Sequence, residues 1–268
     1  MMTLTPAQVA SAAEALLAAE AKCEQIGLLS LAHPGMTLDD AYAIQAAQME
    51  QRLAQGREII GWKIGLTSRA MQDALGIDTP DSGVLYDDML FVDGTTIPQT
   101  RFIQPRIEAE IAFVMESPLE GDVTREDVLA ATGYVAPAIE ILDTRILRRD
   151  PETGRARAIF DTVSDNAANA GIVLGQQRHA PDAFGLRWVG AIVKQNGAVA
   201  ATGLGAGVLD DPVAGLVWLA RRMATYGQRI EAGQVVLSGS FIGPVECPPG
   251  TDIHADYGPF GSVSLHFA

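Results

Sequence analysis

Apolar and polar positions alternate along Pro105-Arg106-Ile107-Glu108-Ala109-Glu110-Ile111-Ala112-Phe113-Val114: apolar side chains fall at 107, 109, 111 and 113, polar or small ones at 106, 108, 110 and 112. That period of two predicts a strand with one buried face. Four other segments carry helical signals. Residues 6–26 set Ala12, Leu16, Leu17 and Ala19 in one stripe, behind Thr5 as cap and Pro6 at the first helical position. Residues 38–53 follow Thr37, place Asp39 and Asp40 at the positive helix end, and stop before Gly56. Residues 124–131 start at Thr124, with Asp127 at a capping-box position. Asp210-Asp211-Pro212 opens a helix that runs to Tyr226 and is closed by Gly227.

Between these segments the signals are those of strands and turns. Apolar runs occur at 61–66, 84–86, 134–142, 172–174 and 234–238, and alternation returns over 253–267. Residues 187–203 read as a hairpin turning at Asn196-Gly197, and Asp93-Gly94 is a second hairpin signal. Pro137 confines its strand to a sheet edge or makes it a strand start. Residues 78–83 have the composition of a turn, and 147–158 that of a polar loop, either plainly exposed or a lid over a site. Residues 160–171 are rich in small and amide side chains, which let backbone approach a ligand or neighbouring strand closely. Helices first, then many strands with one long helix late, predict an α+β fold rather than a doubly wound sheet. The expected organisation is an N-terminal helical region, 1–58, packed on a main domain, 59–268.

Composition narrows the classes. The chain has 268 residues and is 48% hydrophobic, enough for a substantial core. Its net charge of −14 contains no basic run, which argues against nucleic acid or an anionic membrane as partner. A small anionic substrate then needs local Arg, Lys or metal. The two cysteines, Cys23 and Cys247, form no CxxC or His/Cys cluster, and no apolar run is long enough to span a bilayer. A reduced, cytoplasmic, soluble protein is expected. Gly203-Leu204-Gly205-Ala206-Gly207 is not GxGxxG and lacks a βαβ frame, so a dinucleotide site is discounted.

The chemistry concentrates in a few acidic residues. On a strand, Glu108 and Glu110 point the same way about 7 Å apart. Such a pair is either a plain solvated face or, because two close carboxylates repel, a place for a hard cation such as Mg²⁺ or Mn²⁺. Glu140 lies between Ile139 and Ile141 and needs a partner if buried; a bound cation, Arg106 and Arg145 are the candidates. Lys63, among Trp62, Ile64 and Leu66, either snorkels to the surface or is buried, where desolvation lowers its pKa and suits it to proton transfer. Asp81 can simply cap the 78–83 turn. Asn166 and Ser240 are weaker candidates for substrate hydrogen bonds and serve equally well as turn residues.

Five segments then stand in a distinctive order: 61–68 (GWKIGLTS), Pro80-Asp81-x-Gly83, 105–114 (PRIEAEIAFV), 137–143 (PAIEILD) and 161–171 (DTVSDNAANAG). Together they resemble the hydratase/decarboxylase branch of the fumarylacetoacetate-hydrolase-like family, over nearly the whole chain. The resemblance implies a fumarylacetoacetate-hydrolase-like mixed β-sheet core with N-terminal helices, a divalent metal held at Glu108, Glu110 and Glu140, and catalytic roles for Lys63 and Asp81. It implies hydration or decarboxylation of an unsaturated 2-oxo acid from aromatic catabolism, in a homo-oligomer. A 2-oxo dicarboxylate also needs a cation for its remote carboxylate. Arg106 shares a strand face with the glutamates, and the arginines of the 145–157 segment are equally available. A non-catalytic partner of a decarboxylase is the reading from another class, opposed by the intact acidic and lysine positions.

Overall fold

In the computed structural model, which describes residues 2–68, 72 and 79–268, helices begin where a cap precedes the helical period. Helix α1 (Pro6–Lys22) opens on a full capping box in which Thr5 Oγ1 accepts from the Gln8 N–H and the Gln8 side chain accepts from the Thr5 N–H. Cys23, in the left-handed region at φ 52°, ends it short of residue 26. After the single turn α2 (Leu29–Ala32), α3 (Leu38–Ala54) repeats the device with Thr37 and Asp40. The remaining elements are β1 (Ile59–Gly65), β2 (Asp81–Tyr86), β3 (Leu90–Phe91), β4 (Thr96–Ile97), β5 (Arg106–Met115), α4 (Arg125–Ala131), β6 (Thr132–Leu142), α5 (Ile159–Ser164), β7 (Asn169–Leu174), β8 (Gly190–Gln195), β9 (Ala198–Leu204), α6 (Pro212–Ala224), β10 (Val235–Leu237), β11 (Val245–Glu246), β12 (Thr251–Asp256) and β13 (Ser262–Phe267). The fold is α+β. No helix among the described residues is long and apolar enough to cross a membrane.

Two sheets form the body. The larger runs β2-β1-β10-β5-β6-β7-β3, with β11 pairing β5; the smaller runs β4-β13-β12-β8-β9. Ile107, Ala109, Ile111 and Phe113 of β5, with Ile139 and Ile141 of β6, share one core cluster with Val193, Ile253, Ala255, Val263 and Leu265 of the smaller sheet and with Leu216, Leu219 and Ala220 of α6. The opposite face of the larger sheet carries a smaller cluster, Leu85, Ala112, Ala138, Ile172, Val235 and Leu237. β5 is therefore buried on both faces rather than one, because its polar face looks into the protein. The N-terminal helices pack on α5 through Val9, Leu16, Ile44 and Val163. Gln45 Nε2 donates to the Ser82 and Val163 carbonyls, and Gln48 Nε2 to that of Ser164, so α3 is tied both to β2 and to α5.

Three local expectations change in the tertiary context. Asn196 and Gly197 have φ of 50° and 82° and form the expected type I′ turn between β8 and β9. Asp93-Gly94 also turns, with φ 78° at Gly94, but β3 pairs β7 and β4 pairs β13, so it joins two sheets instead of closing a hairpin. Asp93 Oδ1 accepts from the Ser264 N–H and the Gly94 N–H donates to the Ser264 carbonyl, which holds the turn there. Pro137 sits in the middle of β6, between β5 and β7. Its carbonyl faces the β7 side, where it accepts from the Gly175 N–H, and the ladder with β7 begins only at Ala138. The absent proline N–H thus falls where β7 has already ended. The 78–83 turn is likewise shorter than expected: Asp78 lies outside the described residues, and Asp81 already starts β2.

Candidate metal centre

Strand register assembles the site. β5 and β6 are antiparallel with Glu108 opposite Glu140, and Glu110 is the next residue on the same face of β5. Each of the three glutamates offers a carboxylate oxygen, and these oxygens lie within 4.8 Å of one another. Glu110 and Glu140 are 0% exposed and Glu108 is half-buried. Glu110 Oε2 accepts from the Gly239 N–H at 2.7 Å, but Glu110 Oε1 and both oxygens of Glu140 have no hydrogen-bond partner. Burial raises all three pKa values, and neighbouring carboxylates raise those of Glu108 and Glu110 further; Glu108 is pushed up to about 8. Mutually repelling carboxylates converging on one spot, two of them fully buried and three of their oxygens without a hydrogen bond, are the donor set a hard divalent cation takes. Among the described residues, no other three His, Cys, Asp or Glu side chains come together in this way.

A lysine and an aspartate complete the cluster. β10 lies between β1 and β5, and Leu237 pairs with Lys63 on one side and Ala112 on the other. Lys63 therefore shares the glutamates' face. It is 3% exposed, with Nζ 3.3 Å from Glu140 Oε1. Burial alone lowers its pKa, but Glu140, Asp81, Glu108 and Glu110 outweigh that and raise it. The expected direction for a buried lysine is thus reversed by the acidic surroundings. Asp81 starts β2 opposite Gly65; it is buried, its Oδ1 lacks a hydrogen-bond partner, and burial raises its pKa against the pull of Lys63 and Arg157. A Cβ on Gly65 would lie 2.2 Å from Asp81 Oδ1 and 3.1 Å from Lys63 Nζ, so only glycine leaves these two groups room.

The other sequence candidates find local partners. Arg106 pairs with Glu246, which Arg148 also reaches at 3.2 Å. Arg145 is buried against Asp165 and the Asn169 carbonyl. Neither arginine pairs with Glu140, whose ion-pair partner is Lys63. Asn166 spends its amide on both backbone groups of Val84 in β2, a partner distant in the chain, whereas Ser240 Oγ serves Ile242 two residues on, the local use that the sequence left as an alternative. Asn166, Ala167 and Ala168 are all left-handed, with φ of 51°, 52° and 59°. This turn presses on β2 so closely that a Cβ on Gly83 would lie 2.6 Å from the Asn166 carbonyl oxygen, the close backbone approach expected of the small residues there. The sequence gives no pointer to Tyr257. Its buried hydroxyl enters between β5 and β6, accepting from the Glu110 N–H at 3.1 Å and donating to the Ala138 carbonyl. A tyrosine before a Gly-Pro turn shows in sequence neither its direction nor its partner.

No family model matches the chain. It is 50% identical over 256 residues to the 2-oxo-hept-4-ene-1,7-dioate hydratase of Escherichia coli, a match covering 95% of this chain and 96% of that one. Its fold superposes with a TM-score of 0.94, at 34% identity and over 100% of both chains, on 4-oxalocrotonate decarboxylase from Pseudomonas putida G7 in complex with magnesium and adipate. A more distant likeness, TM-score 0.56 at 16% identity over 78% of this chain and 74% of the other, links the fold to fumarylacetoacetate hydrolase from Exiguobacterium antarcticum.

Proposed function

The chain belongs to the hydratase/decarboxylase branch of the fumarylacetoacetate-hydrolase-like family, and from that premise we propose that it is a hydro-lyase that adds water to 2-oxo-hept-4-ene-1,7-dioate. The observation that carries the reading is the buried glutamate triad, three of whose oxygens lack hydrogen-bond partners, with the Lys63 amine 3.3 Å from it. The identity to a hydratase, 50%, exceeds the 34% to the decarboxylases, which favours hydration over loss of CO₂.

Glu108, Glu110 and Glu140 fit Mg²⁺ or Mn²⁺ and would hold it. The ion would supply Lewis acidity to the 2-oxo acid head and stabilise negative charge developing at the keto oxygen. Lys63 is assigned the proton traffic. It takes a proton from C3 and returns one along the chain, moving the double bond into conjugation with the ketone, and it later restores the proton at C3. The four carboxylates around it favour the ammonium; a divalent charge held among them would oppose that and favour the neutral amine that proton abstraction needs. Asp81, with an unpartnered oxygen beside the amine, orients the water that adds at C4. Gly65 leaves the space between them, and the surrounding apolar residues, Leu237 and Ile172 among them, limit access of other water.

Ultraviolet assay of the purified chain with Mg²⁺ and 2-oxo-hept-4-ene-1,7-dioate tests the reading. Hydration drains the conjugated 2-hydroxy-2,4-diene tautomer in equilibrium with the substrate and so removes its absorbance, and product analysis should give the 4-hydroxy-2-oxo acid. Release of CO₂ from 4-oxalocrotonate without hydration of the dioate would replace the hydratase reading with the decarboxylase one.

A further inference from the structure

A dioate brings a second carboxylate that the glutamate triad cannot accept, and the arginines near the site are not equivalent in their freedom to bind it. Arg145 is committed to Asp165 and Asn169, Arg106 and Arg148 share Glu246, and Arg149 donates to the Gly154 carbonyl inside its own loop. Arg157 differs. Its backbone N–H is fixed on the Arg148 carbonyl at 3.1 Å and its Nη1 donates to Thr144 Oγ1 at 2.8 Å, but among the described residues no carboxylate forms an ion pair with it. It is half-buried, and its charge acts on Asp81, second only to that of Lys63, whereas the charge of Arg106 acts on Glu108. Arg106 lowers the proton affinity of Arg148, and both lower that of Arg157; Glu246 is the one carboxylate that forms ion pairs with any of the three among the described residues. Asp165 also acts on Arg157 at longer range, but its close ion pair is with Arg145, so the Arg157 guanidinium is left without a paired carboxylate of its own among the described residues.

Geometry ties this cluster to the triad. Arg106 is two residues before Glu108 on the same face of β5, Arg148 meets Arg106 at Glu246, and the Arg157 backbone is hydrogen-bonded to that of Arg148. A 2-oxo dioate needs such a pairing of sites, a metal for the 2-oxo acid head and a cation near it for the remote carboxylate. We infer that Arg157, on the loop that follows β6, receives the remote carboxylate of a dicarboxylic substrate and so sets the preference for dioates over monoacids. This rests on the hydratase reading above. A guanidinium fork with most of its donors unengaged suits a carboxylate.

The test compares two substrates in the Mg²⁺-loaded full chain. Arg157→Met should lower kcat/KM for 2-oxo-hept-4-ene-1,7-dioate about 10- to 100-fold more than for 2-hydroxypenta-2,4-dienoate, chiefly through KM, the size expected for charge-assisted hydrogen bonds. Arg157→Lys should recover part of the difference, since it restores the charge without the fork. Equal losses on both substrates would make Arg157 a structural residue, and no selective loss on the dioate would remove it from recognition; either overturns the inference. Calorimetry with adipate and hexanoate as non-reacting probes supplies an arm independent of turnover. Wild type should prefer adipate and Arg157→Met should lose that preference, whereas a preference that survives the substitution also overturns the inference. Failure of the wild type to hydrate the dioate would sink the proposed reaction, and the adipate preference would still decide the role of Arg157.

Discussion

Lys63 shows how far one side chain's surroundings reverse a simple expectation. Burial on the face it shares with Leu237 and Ala112 argues for a neutral amine, yet four carboxylates favour the protonated form. If it carries the proton in catalysis, Lys63→Met should lose roughly 10²–10⁴-fold in kcat. Mg²⁺ affinity, read by calorimetry, should hold or improve because a competing cation has gone; full turnover in that variant would refute the role. Glu108 gives a prediction with a definite sign. Its pKa of about 8 in the metal-free protein lies above the ordinary carboxylate value, so between pH 4.5 and about 8 the folded state binds more protons than the unfolded one. Stability of the metal-free protein should therefore fall as pH rises through that window. Mg²⁺ affinity should rise over the same window, because the ion binds the deprotonated carboxylates. Thermal unfolding at pH 5 and pH 8, with and without Mg²⁺, measures both. A metal-free protein more stable at pH 8 than at pH 5 would contradict the assignment of Glu108 as a proton-holding member of the triad.

Between elements, the triad depends on how β5 and β6 are spaced, and the Tyr257 hydroxyl sits in that gap. Tyr257→Phe removes the partner of the Glu110 N–H and the Ala138 carbonyl in a dry interior, at an expected cost of about 1–3 kcal/mol in denaturant unfolding. It should also weaken Mg²⁺ binding, because Glu110 shares the disturbed backbone. Unchanged metal affinity alongside lost stability would show that the wedge supports the fold and not the site. The contrast between Tyr257 and the capping residues marks what the sequence makes legible. Thr5, Thr37 and Thr124 act on backbone three residues away, so the helix starts they predict are the ones observed. Asp93-Gly94, Pro137 and Asp81 depend on partners distant in the chain: β13 for the turn, the end of β7 for the proline, and β1 for the aspartate. Their residue types were readable and their placements were not. The same division holds at the site. Glu108 and Glu110 are paired by strand period alone, but bringing Glu140 opposite them and Lys63 onto their face needs the registers of β6 and β10.

At the scale of the whole molecule, a net charge of −14 faces a substrate that is itself a dianion, and the two repel wherever salt does not intervene. The screening length decides how much of that charge an approaching dioate feels. At about 0.01 M ionic strength it is about 30 Å, and most of the acidic surface acts; at about 0.1 M it is about 10 Å, and only groups around the site mouth act. Those nearby groups include Arg106, Arg148 and Arg157, which share one ion-paired carboxylate, Glu246, among the described residues. Screening should first remove the repulsive field and leave the local attraction. With Mg²⁺ held saturating, kcat/KM for the dioate should therefore rise from the lowest salt, pass through a maximum near about 0.1–0.2 M, and fall towards about 1 M, where the length is about 3 Å and the arginine contacts are themselves screened. The monoacid, with one charge fewer and no claim on Arg157, should show a shallower rise and a weaker fall. A decline from the lowest salt onward for the dioate would mean that the arginine cluster outweighs the remaining surface at long range, and the distribution of charge argued here would be wrong.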